Sequence, residues 1–413
     1  MREGKGKRRI WLEVIAFTAI MLGIHYLFRM KLVSSVVVWG IGLAMIPLFD
    51  YSLRRGQSAR AEYYEMTAYM EQMLCSYKRL GSVKLALEDC ITIFTKNSRM
   101  GKALRKALYT LKTGEGIENQ EITRGALQHI DKLYYSRRML LLHEFLCSAE
   151  KIGGDIAEAL DILLGELQMW KRRTALYQKK KQFIRRESTL AVILAGVMCY
   201  ISHLLIPYNF LPELTASLFY QVFTAVTLSG LLCIEVIILY KLTGSWLDIR
   251  KVYRRKNCRR EAESEFPYWL LSVTLYLQHD SVLHAVKHSL KQTQGVFREE
   301  VQRFLERMYE EPSSLLPYTE FFSRLRLPEI QTGMKILYSV NTNGYQETKK
   351  QIRFLVEQNN MVMDKCECNR FDNCLAGMGL LKQIPMLIAC VKVVFDMTIF
   401  IVMTMGNYLQ MVG

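Results

Sequence analysis

Three ionisable residues lie inside stretches that are otherwise apolar, and their chemistry is the most unusual in the chain. Glu235 has Leu232-Cys-Ile before it and Val-Ile-Ile after it, while Lys392 and Asp396 lie in the last apolar stretch. A spacing of four places Lys392 and Asp396 on one face of a helix. Charges at such depth are costly, and they face the protein interior or a cavity. Two interpretations stay open: an ion or proton pathway, or buried polar contacts that hold helices together, with Lys392 paired to Asp396.

Apolar helices are the elements that would position these residues. Half of the residues are hydrophobic, and a bilayer core of about 30 Å requires about 20 apolar residues in a helix. The first candidate is followed at once by a second and shows no small-residue cleavage site, so it is predicted to span rather than to be a signal peptide. The predicted spans are Ile10–Phe28, Leu32–Phe49, Thr189–Ile206, Leu218–Tyr240 and about Pro385–Met411.

Basic residues at the span ends predict the orientation. Lys and Arg are concentrated in residues 1–9 and before Thr189, whereas 207–217 has neither. The positive-inside rule therefore places the N-terminus in the cytoplasm, and five spans place the C-terminus outside. The net charge of +16 is explained by these flanks, which meet anionic membrane lipids. Since no nucleic-acid module is recognisable, no nucleic-acid partner is predicted.

Two polar regions between the spans have sequences typical of helices throughout, and they share local matches. Leu146-Cys-Ser148-Ala-Glu150-Lys-Ile-Gly153 matches Leu337-Tyr-Ser339-Val-Asn341-Thr-Asn-Gly344. Near the start of each region, Ser82-Val83 with Ala86 matches Ser281-Val282 with Ala285. Self-similarity of this kind indicates an internal duplication.

The predicted fold class is an all-α polytopic membrane protein with about five transmembrane helices and two homologous cytoplasmic helical-bundle modules. The predicted domains are an N-terminal transmembrane hairpin at 1–50, a first cytoplasmic module at 51–187, a second hairpin at 188–241, a second, degenerate module at 242–382 and a C-terminal transmembrane helix at 383–413.

A glycine pair marks the clearest corner of the first module. Gly153 and Gly154 are suited to end a helix in a left-handed cap. Asp155 and Glu158 then fit a capping box for the next helix, which meets no Pro or Gly between Gly165 and Gly196 and is predicted to run from Asp155 to Ile206. Together with Glu150, these residues form either a set of helix caps or a corner that faces a partner, and the two interpretations are compatible.

Other helix boundaries follow from glycine, proline and hydroxyl residues. Gly81 and Ser82 predict a helix end followed by a cap, and Ser281 caps another helix. Pro328 is suited to a first helical position, and Pro267 is predicted in the first turn of a helix that reaches about Gln278.

No motif for enzymatic chemistry is recognisable. Gly101-Lys102 lacks the upstream glycine of a P-loop, and His284 with His288 lacks the glutamate of a zinc-protease helix. Cys366, Cys368 and Cys374 have a spacing on one helix that does not converge on a metal. The sequence therefore predicts a protein that is not an enzyme and has no cofactor, metal or catalytic residue.

The segment Ser148-Ala-Glu150-Lys-Ile-Gly153-Gly154-Asp155-Ile-Ala-Glu158 ends a helical bundle and begins a long helix into an apolar span. It resembles the type II secretion F-type family, the inner-membrane platform proteins of type II secretion and type IV pilus machines. The layout of residues 1–241 is most similar to the tight-adherence, or Tad, branch. The second region, with Glu265-Phe-Pro267-Tyr-Trp269, is similar but carries Asn341 at the acidic position of the family and a single glycine in place of the pair.

The resemblance implies a non-enzymatic platform in the bacterial plasma (inner) membrane. Such a platform couples a cytoplasmic hexameric ATPase to the movement of pilin or pseudopilin subunits, and further platform subunits would join it in a homo- or hetero-oligomer. Whether the machine assembles a pilus or secretes protein stays open. The alternative is a multi-pass membrane transporter that uses Glu235, Lys392 and Asp396.

Overall fold

The chain is a succession of helices. The structure, a computed structural model, describes residues 2–113, 120–152, 156–244, 258–342 and 345–412. Within these residues every regular element is helical, which confirms the all-α prediction for the part described. The helices are α1 (Arg2–Leu27), α2 (Leu32–Leu80), α3 (Val83–Ile93), α4 (Arg99–Thr113), α5 (Gln120–Tyr134), α6 (Arg137–Ile152), α7 (Ala157–Leu204), α8 (Leu211–Ala216), α9 (Leu218–Gly244), α10 (Cys258–Tyr276), α11 (Val282–Ser289), α12 (Gly295–Glu310), α13 (Leu316–Glu320), α14 (Pro328–Thr342), α15 (Tyr345–Leu375), α16 (Met378–Leu381) and α17 (Ile384–Val412), with 3₁₀ turns at Leu290–Gln292 and Ser323–Leu325.

Four of the helical stretches among the described residues are long and apolar enough to cross a membrane. They are Leu32–Leu80, Ala157–Leu204, Leu218–Thr243 and Lys349–Gly406, the last of which runs from α15 into α17. α1 also contains an apolar stretch, Phe17–Leu27, but this stretch is shorter than the four spans above. The fifth predicted span, Ile10–Phe28, therefore stays a prediction.

The chain divides into two compact units. The span unit comprises 1–60, 176–250 and 372–413, and it contains the apolar helices. The bundle unit comprises 61–175 and 251–371. The predicted limits at 51, 187, 242 and 382 differ from these. The two polar regions that were expected as separate modules share one unit, because helices from both regions pack against each other.

Two helices contribute residues to both units. α2 has 49 residues and continues through Pro47 and past the predicted span end at Phe49. Pro47 removes one backbone hydrogen bond and favours a bend, but the helix does not end there. α7 has 48 residues, or about 72 Å at 1.5 Å per residue, and it confirms the prediction of an uninterrupted helix, with ends at Ala157 and Leu204.

The bundle unit has two apolar cores, and one of them draws on both regions of the chain. The first core is built from α2 to α7 and also contains Leu271 and Leu275 of α10. The second core is aromatic, with Trp269 stacked on Phe321 at 5.3 Å between ring centroids. The indole N–H of Trp269 donates to Ser289 Oγ at 2.8 Å. The first region thus depends on the second for part of its apolar packing.

The predicted helix boundaries at Gly81, Ser281 and Pro328 agree with the structure, and the one at Pro267 does not. Gly81 has φ +66°, which L residues rarely adopt, and it separates α2 from α3. Ser281 caps α11 through the backbone N–H of His284, and Pro328 begins α14. The prediction for Pro267 is wrong, because α10 is already helical from Cys258.

Pro267 is accommodated inside α10 by a side chain from another helix. Proline has no N–H, so the carbonyl four residues earlier, that of Glu263, loses its helical partner. The Cys366 thiol of α15 donates to this carbonyl oxygen at 3.4 Å. The sequence shows the proline but not the distant donor, which explains why the helix start was placed too late.

The two halves of the bundle unit have the same number of helices in the described chain. The first half uses α2 to α7 and the second uses α10 to α15. Among the paired helices that lie wholly within the bundle unit, α5 and α13 differ most, with 15 and 5 residues respectively. The order of elements agrees with an internal repeat, and the duplication itself stays a prediction.

Candidate functional site

Glu150 lies near the end of α6 and caps the start of another helix. Its Oε1 accepts the backbone N–H of Val83, the first residue of α3, at 2.9 Å. Ser82, the N-cap residue, makes no side-chain cap bond of its own. A carboxylate at a helix N-terminus satisfies a free N–H and is stabilised by the helix dipole. Glu150 therefore joins α6 to α3 inside the first half.

Of the other residues predicted at this corner of the first module, the structure describes only Glu158. Gly153, Gly154 and Asp155 lie outside the described residues. Glu158 lies in the first turn of α7, and its carboxylate oxygens are 3.9 Å from Lys349 Nζ and 3.9 Å from Arg353 Nε of α15. The acid of the predicted capping box thus also faces the second half of the bundle unit.

The position matched to Glu150 makes a different contact in the second half. Asn341 Nδ2 donates to the carbonyl of Pro312 at 3.1 Å, and the Tyr338 hydroxyl donates to the carbonyl of Ser313 at 3.2 Å. Both bonds hold the turn between α12 and α13. Asn341 therefore fixes a loop, whereas its counterpart Glu150 caps a helix.

A buried cluster of four charges joins the two halves, and sequence reasoning missed it. Arg138 of α6 contacts Glu166 of α7 at 3.0 Å and Glu367 of α15 at 2.6 Å. Arg173, seven residues after Glu166 on α7, contacts Glu166 at 2.8 Å and Glu367 at 2.7 Å. All four side chains are at most 10% exposed. We call these four residues the ion cluster.

Neighbouring side chains complete the surroundings of the ion cluster. The Arg138 guanidinium lies 4.6 Å from the ring centroid of Trp170 and donates to the Tyr268 hydroxyl at 3.0 Å. Arg173 also contacts the half-exposed Asp364 at 2.5 Å. Arginine is suited to this position because its planar group stacks on aromatic rings while its N–H groups meet carboxylates.

The charges of the ion cluster balance, two arginines against two glutamates. Removing one member of a buried pair leaves an uncompensated charge and is strongly destabilising, whereas the intact pair is a weaker guide to stability. The ion cluster joins α6, α7 and α15, and its intact state requires all four of its charges. One sequence signal was present: Glu166 and Arg173 follow the spacing of the apolar face of α7, where charges are unexpected.

A second buried polar chain lies within the first half. Asp131 Oδ1 is 2.8 Å from His143 Nδ1, and His143 Nε2 is 2.8 Å from the Tyr69 hydroxyl. A neutral imidazole that donates to Asp131 accepts the Tyr69 proton at its other nitrogen. Tyr69 and His143 are almost fully buried. These hydrogen bonds give each of the three side chains a polar partner, and they link α2, α5 and α6.

The span unit contains the predicted intramembrane pair. Lys392 and Asp396 of α17 form a buried ion pair, and Asp396 also accepts from Ser202 Oγ of α7 at 3.1 Å. The Lys392 ammonium lies 4.2 Å from the ring centroid of Tyr220 of α9, an arrangement that favours a cation–π contact. The contacts join α7, α9 and α17.

Glu235 is not part of this group. Its two carboxylate oxygens accept from Ser188 Oγ at 3.0 Å and from Thr189 Oγ1 at 2.9 Å, so it joins α9 to the beginning of the predicted span of α7. The three residues predicted to lie within the membrane thus occupy two separate polar contacts. A continuous pathway through all three is not what these contacts indicate.

The contacts at these sites join helices to one another. Each carboxylate discussed above meets a cation, an imidazole, a hydroxyl or a helix N-terminus. Within the described ranges, no three His, Cys, Asp or Glu side chains converge where they would hold a metal ion.

Comparison with known proteins identifies no relative: no protein-family model, no curated protein and no solved structure matches the chain. The resemblance drawn from residues 148–158 and from the layout of the chain therefore stays a prediction.

Proposed function

We propose that the protein is a non-enzymatic platform of the bacterial inner membrane, in a Tad-like type IV pilus assembly or a type II secretion machine. In this role it couples a cytoplasmic hexameric ATPase to the movement of pilin subunits. The observation that carries the proposal is α7. This one helix holds Glu166 and Arg173 of the ion cluster at one end and an apolar span at the other.

The proposed role requires the transmission of force from the bundle unit to the apolar helices. A protein that passes motion from a motor to membrane subunits needs a body that moves as a unit and a rigid element leading from it. The ion cluster and the shared apolar core join both halves of the bundle unit. An uninterrupted helix supplies the rigid element, since it has no loop at which a displacement would be lost.

Co-purification from native membranes tests the proposal. The full chain, tagged and solubilised in mild detergent, is expected to recover a hexameric ATPase, and a variant with Glu166→Gln, which weakens the ion cluster, is expected to recover less. A matched control is Lys78→Gln, which removes an exposed ion pair to Asp161 of α7. Recovery of no ATPase by the unchanged chain, from cells in which the machine is active, would refute the proposal.

A transporter is the second candidate, and the buried Lys392–Asp396 pair in the span unit favours it. Replacing Glu235 with Gln and Lys392 with Met separates the two functions. A transporter should lose flux while remaining folded in proteoliposomes. A platform should instead lose stability or assembly, because each residue holds two helices together.

A further inference from the structure

A cleft lies between the two halves of the bundle unit. Its volume is about 280 Å³, which is the volume of about nine molecules of liquid water and is close to the lower end of the range for ligand pockets. α5 and α6 of the first half form one wall, and Lys291 and Gln292 of the second half form the other. A small molecule bound in this cleft therefore contacts both halves.

The charged side chains that line this cleft differ in depth. The side chains of Asp131 and Glu144 are only 18% and 13% exposed. The Arg124 side chain is 44% exposed, and Lys291 also lies at the surface. The two acids therefore occupy the inner end and the two cations the mouth. The cleft thus presents negative charge at its inner end and positive charge at its mouth.

Both carboxylates have one oxygen atom that is available to a ligand. Asp131 Oδ1 meets His143 Nδ1 at 2.8 Å, and Glu144 Oε1 accepts from Arg124. The second oxygens, Asp131 Oδ2 and Glu144 Oε2, form no hydrogen bond with the residues that the structure describes, and both are accessible to solvent. An ionised carboxylate accepts hydrogen bonds at both of its oxygens. His143 itself is not available, because its other ring nitrogen meets the Tyr69 hydroxyl.

We propose that the cleft binds a small zwitterion whose ammonium and carboxylate groups are separated by a short methylene chain. The ammonium group, which has three N–H donors, meets the second oxygens of Asp131 and Glu144, and the carboxylate group meets Lys291 at the mouth. Leu127 and Leu140 also line the cleft and provide apolar surface for the methylene groups. A metal ion fits the two acids less well, since nowhere in the described part of the chain do three His, Cys, Asp or Glu side chains converge.

This binding site is separate from the proposed role in force transmission, because no residue of the ion cluster lines the cleft. A ligand that binds only the folded chain stabilises it against unfolding by mass action. Binding is therefore measurable in two ways, as heat released or absorbed on titration and as a rise in the temperature of thermal unfolding.

Isothermal titration calorimetry of the full chain in detergent tests the site with three probes of similar length. δ-Aminovalerate carries both charges, pentylammonium carries only the cation, and valerate carries only the anion. We expect saturable binding of δ-aminovalerate. Pentylammonium should bind about two-fold to five-fold more weakly, because it loses a contact with the exposed Lys291. Valerate should bind about 10-fold to 150-fold more weakly, because it loses charged hydrogen bonds to the two inner carboxylates.

Variants at each end of the cleft test the two contacts separately. Glu144→Gln should weaken binding of δ-aminovalerate about 10-fold to 150-fold, and Lys291→Gln should weaken it about two-fold to five-fold. Lys287→Gln is the matched control, since Lys287 is an exposed lysine of α11 that does not line the cleft. Lys291→Glu reverses the charge at the mouth, so this variant should prefer cadaverine, which has an ammonium group at each end, to δ-aminovalerate.

Thermal unfolding without ligand distinguishes a lost site from a lost fold. The Lys291 variants replace an exposed side chain and should unfold as Lys287→Gln does, so they decide the matter even if Glu144→Gln is unstable. The proposal is wrong if the unchanged chain shows no saturable binding of δ-aminovalerate. It is also wrong if valerate and pentylammonium bind as tightly as δ-aminovalerate, or if folded Lys291→Glu still prefers δ-aminovalerate to cadaverine.

Discussion

Replacing Glu166 with Gln is the sharpest test of the ion cluster. Glutamine keeps the size and shape of the side chain but removes its charge. Glu166 meets Arg138 at 3.0 Å and Arg173 at 2.8 Å, and it is 6% exposed. The variant therefore leaves two buried guanidinium groups facing one buried carboxylate, that of Glu367. Asp364 offers little compensation, because its side chain is 43% exposed.

The expected loss follows from the burial of these groups. Breaking a buried ion pair by removing one partner costs about 3 to 5 kcal/mol. Water screens this interaction little, since no member of the cluster is more than 10% exposed. Through the relation between free energy and an equilibrium constant, this loss raises the population of locally open states by about 100-fold to several thousand-fold.

Amide hydrogen exchange of the full chain in detergent measures this opening. Peptides from the α7 segment before residue 176 and from α15 are expected to exchange faster in Glu166→Gln by that factor. The control Lys78→Gln breaks a pair whose side chains are 41% and 58% exposed, so its effect should stay below about 1 kcal/mol. A double variant that also replaces Arg138 with Met should lose less than the sum of the two single variants, because both act on one network.

One outcome would refute this reasoning directly. If Glu166→Gln changes exchange in α7 and α15 no more than Lys78→Gln does, then the ion cluster does not hold the two halves together. A displacement of one half would then not be passed to α7 through these contacts.

Three further predictions concern other parts of the chain. Glu150→Ala should weaken the start of α3 by about 0.5 to 2 kcal/mol, because a helix cap is lost, and faster amide exchange of the first α3 turn would show it. Burial raises the pKa of the Cys90 thiol to about 12, so at pH 8 about one in 10⁴ molecules carries the thiolate. In maleimide labelling, the exposed Cys75 should therefore react at once, and Cys90 should react only after unfolding. Equal labelling rates for the two thiols would contradict the packing of α3. Alkaline phosphatase fused after Gly413 should be active, since five spans place that end outside, whereas an inactive enzyme with a fluorescent cytoplasmic fusion would indicate four spans.

Local features of the sequence were sufficient for the class of fold and for many helix ends. Gly81, Ser281 and Pro328 act through their own backbone preferences, and those preferences need no knowledge of distant residues. The uninterrupted α7 followed from the absence of Pro and Gly over its middle part. The predicted pairing of Lys392 with Asp396 rested on a spacing of four within one helix, and their ion pair is of this local kind.

Contacts between residues far apart in the sequence could not be predicted from these local features. Glu166 stands on an apolar face, which signals an unusual environment, but nothing local identifies Arg138 or Glu367 as its partner. The start of α10 was placed too late for a related reason, because the Cys366 thiol that meets the carbonyl freed by Pro267 comes from α15. The partners of Glu235 are of the same distant kind, because its two hydroxyl donors, Ser188 and Thr189, come from α7.

The presence of Leu271 and Leu275 in the first apolar core has a consequence for the order of events during synthesis. These residues leave the ribosome well after Ala175, the end of the first chain segment of the bundle unit. At about 5 to 20 residues per second, the first half waits on the order of 5 to 20 s for the side chains that complete its core. During that interval two apolar stretches are also made, and the incomplete half carries exposed apolar surface. Chains truncated before α10 should therefore aggregate or bind chaperones, and the two halves should fold together late rather than one after the other.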